Sequence, residues 1–236
     1  MKTTNLKKLV TVVFAMSGIL LDKISPLRIL LLLFIGSGII CSYLFADKIN
    51  FISALIVFIS IFSIRYIFLF FSFTRKGVAY YLKKKFGEDL GYEIYQSLTA
   101  VLFFLSASGF ALLVNKSFGI LFPSFLENPV ILSAVGIPVI MIGLITNIWS
   151  TLIVGIDVYY YKDLFLGRKI SEFRKEGPYN FLSNPMYSVG QASGYGTAIL
   201  SASLPGVAVI FLNQVLMYIF YLIFEKPHIK KILLKA

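Results

Sequence analysis

The sequence is poor in the groups on which most metal and covalent chemistry depends. It has one cysteine, Cys41, and one histidine, His228. A lone cysteine excludes a disulfide within the chain, and one Cys with one His cannot build a zinc cluster. Cys41 sits in an apolar run, where a small buried hydrophobe is expected. Acidic residues are scarce too, 11 Asp and Glu against 22 Lys and Arg. No P-loop, Gly-x-Ser-x-Gly elbow, His-Glu-x-x-His motif or Rossmann glycine pattern occurs. A Ser-His-Asp hydrolase would have to centre on His228, and no nucleophile motif points to it. Internal repeats and low-complexity tracts are also missing.

What the chain does have is apolar sequence. Of 236 residues 58% are hydrophobic, and the mean hydropathy is +0.85. A soluble domain of this length has about half its residues apolar or fewer. The expected fold is therefore all-α, a polytopic transmembrane helical bundle. Six runs approach the length of about 20 residues needed to cross the hydrocarbon core. They are 27–46, 50–73, 97–114, 130–154, 187–203 and 205–225. The fifth is short and rich in Gly and Ser, as suits close helix packing.

Basic residues alternate between the connectors. Lys2, Lys7, Lys8 and Lys23 precede the first run, and Lys48 alone follows it. The connector 74–96 has five basic residues, the next has only Lys116, and 155–186 has five again. The turn near Leu204 has none, and the tail has Lys226, Lys230, Lys231 and Lys235. This alternation predicts six spans with both termini cytoplasmic. The net charge of +11 flanks apolar spans, so anionic membrane lipids are the expected partner and nucleic acid is not. The run Leu9 to Leu21 lacks a small-x-small cleavage site and reads as a retained interfacial or re-entrant segment. Residues 78–86, aromatics beside lysines, read equally as an interfacial helix or an ordinary basic loop. The chain divides into an N-terminal segment with the first span, 1–49, and a core, 50–236.

Two polar stretches end the last apolar hairpin on the cytoplasmic side. One is Gly177-Pro178-Tyr179-Asn180-Phe181-Leu182-Ser183-Asn184-Pro185-Met186-Tyr187, the other Phe224-Glu225-Lys226-Pro227-His228-Ile229. Pro185 keeps Asn184 out of helix and suits the first turn of the fifth span. The exposed N–H groups of such a turn favour an anionic group, though a plain loop-to-helix boundary explains the same residues. Gly190, Gly194 and Gly196 serve either helix packing or room for a ligand. Glu225 and His228 share a face if the helix continues, whereas Pro227 argues that it ends nearby. Glu225 is either an interfacial anchor or a carboxylate for a cationic amine. Arg65, Asn147, Asn213 and Gln214 lie inside spans, where polar groups need a partner or a cavity. Arg65 is expected to snorkel or to face the bundle, and Asn147 and Asp157 lie near the same cytoplasmic end.

Taken together, Asn184-Pro185-Met186-Tyr187, Gly196 and Glu225-x-Pro227 resemble the membrane phospholipid methyltransferases. Asn-Pro-Met-Tyr is similar to the phosphatidylethanolamine N-methyltransferase branch, while isoprenylcysteine carboxyl methyltransferases have Arg-His-Pro-x-Tyr. The likeness covers about 50–236 and concentrates in 177–229. Lys226 stands where the family often has Glu, and its upstream Gly-x-Gly has no clear counterpart, although Gly136-Ile137-Pro138 and Gly143 lie in that span. The resemblance implies S-adenosyl-L-methionine as cofactor and phosphatidylethanolamine or its methylated forms as acceptor, with the site facing the cytoplasm. It assigns Tyr179, Asn184, Pro185, Tyr187, Gly190, Gly194, Gly196 and Glu225 to the cofactor, with Glu225 holding its α-amino group. His228 is the expected base. Two alternatives stay open: a membrane methyltransferase acting on an isoprenylcysteine carboxylate or a small amine, and a non-catalytic transport or scaffold subunit.

Overall fold

A computed structural model describes residues 2–20, 25–45, 48–120, 123, 127–168 and 176–233. Cys41 lies outside the residues whose side chains are described. The chain is an all-α membrane helical bundle, with no strand among the described residues. The long elements are α1 (Lys2–Met16), α2 (Pro26–Phe45), α3 (Phe51–Ser72), α4 (Val78–Lys116) and α5 (Pro129–Val154). Two short helices follow, α6 (Ile156–Tyr159) and α7 (Lys162–Leu166). Then come α8 (Ala192–Leu200), α9 (Leu204–Phe220), a π-helical turn (Tyr221–Glu225) and α10 (Lys226–Leu233).

Four helices among the described residues are long and apolar enough to cross a membrane: α3, α4, α5 and the continuous Leu204–Lys231. Their starts are written locally. Asn50 accepts from Ser53 N at 2.9 Å, and Asn128 accepts from Val130 N at 2.9 Å with Pro129 in the first turn. Ser203 caps α9 by accepting from Gly206 N. Their outer faces carry exposed Ile, Val and Leu, such as Ile56, Ile67, Val130 and Ile145, as a lipid-facing surface requires.

The basic segment 78–86 forms the first part of α4. Ala79 and Leu82 are buried while Tyr80, Tyr81, Lys84 and Lys85 are exposed, which is the one-sided pattern of an interfacial helix. Gly87, at φ 78° and ψ 179°, breaks the helical path before α4 continues. A Cβ on Gly91 would lie 2.9 Å from the Leu82 carbonyl, so the two pieces of α4 meet at a side where only hydrogen fits. The N-terminal segment, read as interfacial or re-entrant, is tied to the bundle. Val12 and Ala15 are buried, and Tyr160 Oη donates to the Ala15 carbonyl at 2.5 Å. Tyr159 Oη reaches the Met16 carbonyl at 3.3 Å.

The run 187–203 departs most from expectation. It is not one helix: α8 has 9 residues, a length of about 14 Å at 1.5 Å per residue. Yet residues 177–200 follow α5 antiparallel for most of its length. Gly177 lies against Trp149 and Ile153. Met186 Sδ is 3.7 Å from Thr151 Oγ1, and Asn147 Nδ2 donates to the Gly190 carbonyl at 2.9 Å. Ser193 abuts Gly143, and Gly196 and Leu200 abut Gly136. The segment is therefore a broken span, part helix and part turn. Irregular backbone at membrane depth survives only where protein covers it or where it lines a cavity.

Candidate functional site

The broken span persists because side chains from α5 and α9, together with its own Gln191, satisfy its backbone. Pro185 is fully buried, and its carbonyl accepts from Gly190 N at 2.8 Å. The Asn184 carbonyl accepts from Ser188 N and Oγ. Pro185 does not open the helix, as its sequence position suggested; residues 185–188 form a turn and α8 starts at Ala192. Gln214 on α9 donates to the Tyr187 carbonyl at 3.1 Å and accepts from Tyr195 Oη at 2.9 Å. Gln191 donates to the Met186 carbonyl at 3.2 Å and accepts from Asn213 Nδ2 at 2.8 Å.

This network continues to α3. Tyr66 Oη donates to Asn213 Oδ1 at 2.8 Å, and Arg65 Nη1 lies 3.4 Å from the same oxygen. The Arg65 guanidinium sits 4.5 Å from the Phe103 ring centroid and 5.3 Å from that of Tyr66. It therefore faces the bundle over aromatic surface, a cation–π arrangement, and does not snorkel outward. The intramembrane polar residues read from the sequence thus hold irregular backbone in place.

The glycines expected to make room for a ligand have their space filled. A Cβ on Gly194 would stand 2.6 Å from Ile210 Cδ1, and one on Gly196 would stand 2.6 Å from Ile140 N and 2.7 Å from the Gly136 carbonyl. The Cβ position of Gly190 falls on the Asn147 amide. All three let α8 and its leading turn press on α5 and α9. Gly136 and Gly143 are the answering positions on α5, which gives these two glycines a packing role.

At the end of the broken span, two polar stretches meet. Tyr187 Oη donates to Glu225 Oε1 at 2.5 Å. Tyr179 is buried in the 3-10 turn Gly177–Asn180, within the electrostatic reach of Glu225. That turn is set by Gly177, whose φ is +54° and whose Cβ would collide with the Trp149 indole at 2.7 Å, so only glycine fits both constraints. The rings of Phe70, Phe73, Phe220 and Tyr187 pack in the cluster that Phe224 joins. A carboxylate among phenols and aromatic faces is a site for an organic cation.

The helix does not end at Pro227. It passes through that proline by widening into the π turn Tyr221–Glu225. Proline in a helix lacks an N–H and presses on the carbonyl four residues earlier, and a π turn relieves both demands. His228 consequently stays on the helix and lies in electrostatic and hydrogen-bonding reach of Asp163 on α7. Its Nε2 is buried without a hydrogen-bond partner. Asp157, by contrast, pairs with Lys162 at 2.9 Å and lies 3.4 Å from Tyr92 Oη, so it does not join Glu225.

One neighbour had no motif to announce it. Tyr161 is 6% exposed, has φ 58°, and stacks edge-on to Phe220 at 5.1 Å between centroids. Its phenol lies beside that of Tyr187, in the same buried cluster, and in the field of Glu225. The run Tyr159-Tyr160-Tyr161 was the available signal in the sequence.

Comparison with known proteins places this region. Residues 131–236 match the family model described as phospholipid methyltransferase. Phosphatidylethanolamine N-methyltransferase B of Dictyostelium discoideum is 33% identical over 122 residues, 52% of this chain and 58% of that protein. Phosphatidylethanolamine N-methyltransferases of Eremothecium gossypii and Komagataella phaffii are 29% and 30% identical over 93 and 98 residues, 38% and 41% of this chain. The match spans a little over half the length of the first relative and 11% of each of the other two. No solved structure matches. Residues 131–236, the part of the chain that matches the phospholipid methyltransferase family model, hold both the broken span and the Tyr187–Glu225 contact.

Proposed function

We propose that the protein is a multi-pass membrane enzyme that transfers methyl groups from S-adenosyl-L-methionine to the amine of phosphatidylethanolamine or its methylated forms. The observation that carries this reading is the Tyr187–Glu225 contact inside an aromatic cluster, within the segment that matches the family. In this reading the chain has six spans, both termini cytoplasmic and a site open to the cytoplasm, supported by the charge alternation and by the antiparallel course of the broken span along α5.

The residues suit the cofactor's chemistry. Bound S-adenosyl-L-methionine supplies a methyl group on a sulfonium. Both the α-ammonium of the cofactor and the acceptor amine are cationic at neutral pH, and Glu225 with its ring of phenols and phenylalanines complements such groups. In this reading Glu225 holds the α-ammonium, and Tyr187 and Tyr179 fix that carboxylate and line the pocket with the Asn184-Pro185 turn. Gly190, Gly194 and Gly196 act by setting the approach of α8 and its leading turn to α5 and α9. The acceptor must lose its proton before it can use its lone pair, and it leaves as a new ammonium or loses a second proton. His228, with Nε2 unengaged and Asp163 beside it, is the group that takes the proton. Apolar walls around the site exclude water, and well-oriented reactants can supply roughly 7–11 kcal/mol of the barrier.

The test is methyl transfer by the purified full chain in lipid nanodiscs, with labelled cofactor and a panel of acceptors. Label in mono-, di- or trimethylated phosphatidylethanolamine supports the reading. Label confined to an isoprenylcysteine carboxylate or a small amine changes the acceptor, and no transfer together with no cofactor binding removes the enzyme reading.

A further inference from the structure

Tyr161 is the feature of the site that the methyl-transfer reading leaves unused. It stands where tyrosine is costly. A bulky side chain at φ 58° is a backbone outlier, and such conformations cost on the order of 1–3 kcal/mol and persist only where the surroundings over-determine them. Here the surroundings are visible on both sides. The preceding tyrosines hold the turn from the N-terminal side of the chain: Tyr160 Oη binds the Ala15 carbonyl at 2.5 Å and Tyr159 Oη reaches the Met16 carbonyl at 3.3 Å. The following residue, Lys162, bonds Asp157 across the same turn at 2.9 Å. Consecutive residues therefore enter different cores. Tyr160 enters the one with Tyr95 and Phe165, and Tyr161 enters the one with Tyr187 and Phe220.

The left-handed residue turns the Tyr161 ring into the aromatic cluster. Its centroid lies 5.1 Å from that of Phe220 and 6.1 Å from that of Phe73, edge-on in both cases. With the ring so wedged, the phenol meets Tyr187, whose own hydroxyl is committed to Glu225 Oε1. A hydroxyl that donates to a carboxylate keeps its lone pairs free to accept, and a neutral phenol is the matching donor. We propose that Tyr161 is a positioning residue: it fixes the Tyr187 phenol, and through it orients the Glu225 carboxylate to receive a cationic ligand. The strained turn 159–161, clamped by α1, is the device that delivers it. The proposal rests on the reading of Glu225 as the cofactor's ammonium site.

The test is a double-mutant cycle on S-adenosyl-L-methionine binding, read by calorimetry on the full chain in lipid nanodiscs. Thermal unfolding of each variant checks the fold. Glu225→Gln should weaken binding at least about tenfold, as loss of a charged partner does, and Tyr161→Phe about three- to tenfold, as loss of a neutral phenol contact does. If Tyr161 acts through Glu225, the double variant binds within about twofold of Glu225→Gln alone, because coupled residues do not add. Tyr92→Phe removes an equally buried phenol bound to Asp157 and should leave binding unchanged. Independent, multiplying losses from Tyr161→Phe and Glu225→Gln overturn the proposal, and so does full affinity in Tyr161→Phe when Glu225→Gln is impaired. Unchanged binding in Glu225→Gln overturns the site reading itself. Should Tyr161→Phe not fold, Tyr161→Asn enters the cycle in its place, since Asn tolerates the left-handed backbone.

Discussion

Tyr187 donates to Glu225 Oε1 at 2.5 Å across a gap of 38 residues in the chain. One partner sits in a turn of the broken span and the other at the end of a π turn. The bond joins the two polar stretches that the sequence leaves apart. Hydrogen bonds to charged groups contribute about 1.5–3 kcal/mol. Tyr187→Phe is accordingly expected to weaken cofactor binding roughly tenfold or more, and Glu225→Ala to weaken it further. Equilibrium binding with both variants checks this. Full affinity in Glu225→Ala would contradict the role given to the carboxylate.

The Asn147 amide is expected to matter for folding more than for chemistry. Its Nδ2 donates to the Gly190 carbonyl at 2.9 Å in the irregular part of the broken span. Asn147→Leu leaves that carbonyl with the weaker Ser193 Oγ contact at 3.2 Å. A loss of about 1–2 kcal/mol in stability is expected, read as a lower unfolding temperature in detergent. An unchanged temperature would show that the amide is dispensable.

Gly196 is expected to tolerate no side chain. A Cβ there would stand 2.6 Å from Ile140 N, which belongs to backbone and cannot rotate away. Overpacking of this kind costs about 1–3 kcal/mol. Gly196→Val should destabilise more than Gly38→Val on α2, where a Cβ meets nothing within 4 Å. Comparing the two unfolding temperatures makes the test; equal effects would mean that α5 and α8 do not touch at this residue.

Lys226 departs from the glutamate that the family resemblance leads one to expect, and its side chain is exposed. Lys226→Glu and Lys226→Ala should change cofactor affinity by less than about threefold, because an exposed charge acts through screened solvent. A tenfold effect of either, in the same binding assay, would place Lys226 at the site.

Much of this protein is legible without coordinates. Four apolar runs appear as the long helices α3, α4, α5 and the Leu204–Lys231 helix, because in lipid a backbone must satisfy its own hydrogen bonds and helix is the form that does so. Asn50, Asn128 and Ser203 mark helix starts by local rules that need no tertiary partner. The juxtaposition of Tyr187 with Glu225 also follows from two ends of one hairpin.

Other features depend on the neighbours. The run 187–203 reads as a short span, but whether its backbone closes into helix rests on Asn147 and Gln214, which bond its turns from outside, and on Gln191 within it, held by Asn213. Glycine spacing alone does not distinguish room for a ligand from room for a helix, and here α5 and α9 take the room. Pro227 reads as a helix end; the π turn before it lets the helix continue and carries His228 to Asp163. Tyr161 reads as one of three tyrosines in a row, and only its left-handed backbone, in a turn whose preceding tyrosines bond α1, turns it toward Glu225. Composition and charge determined that the chain is helical and lies in a membrane, since those follow from solvation summed over many residues. Which side chains share the site was decided by packing, since a single turn or a single bulge redirects a residue at a cost too small for local sequence to register.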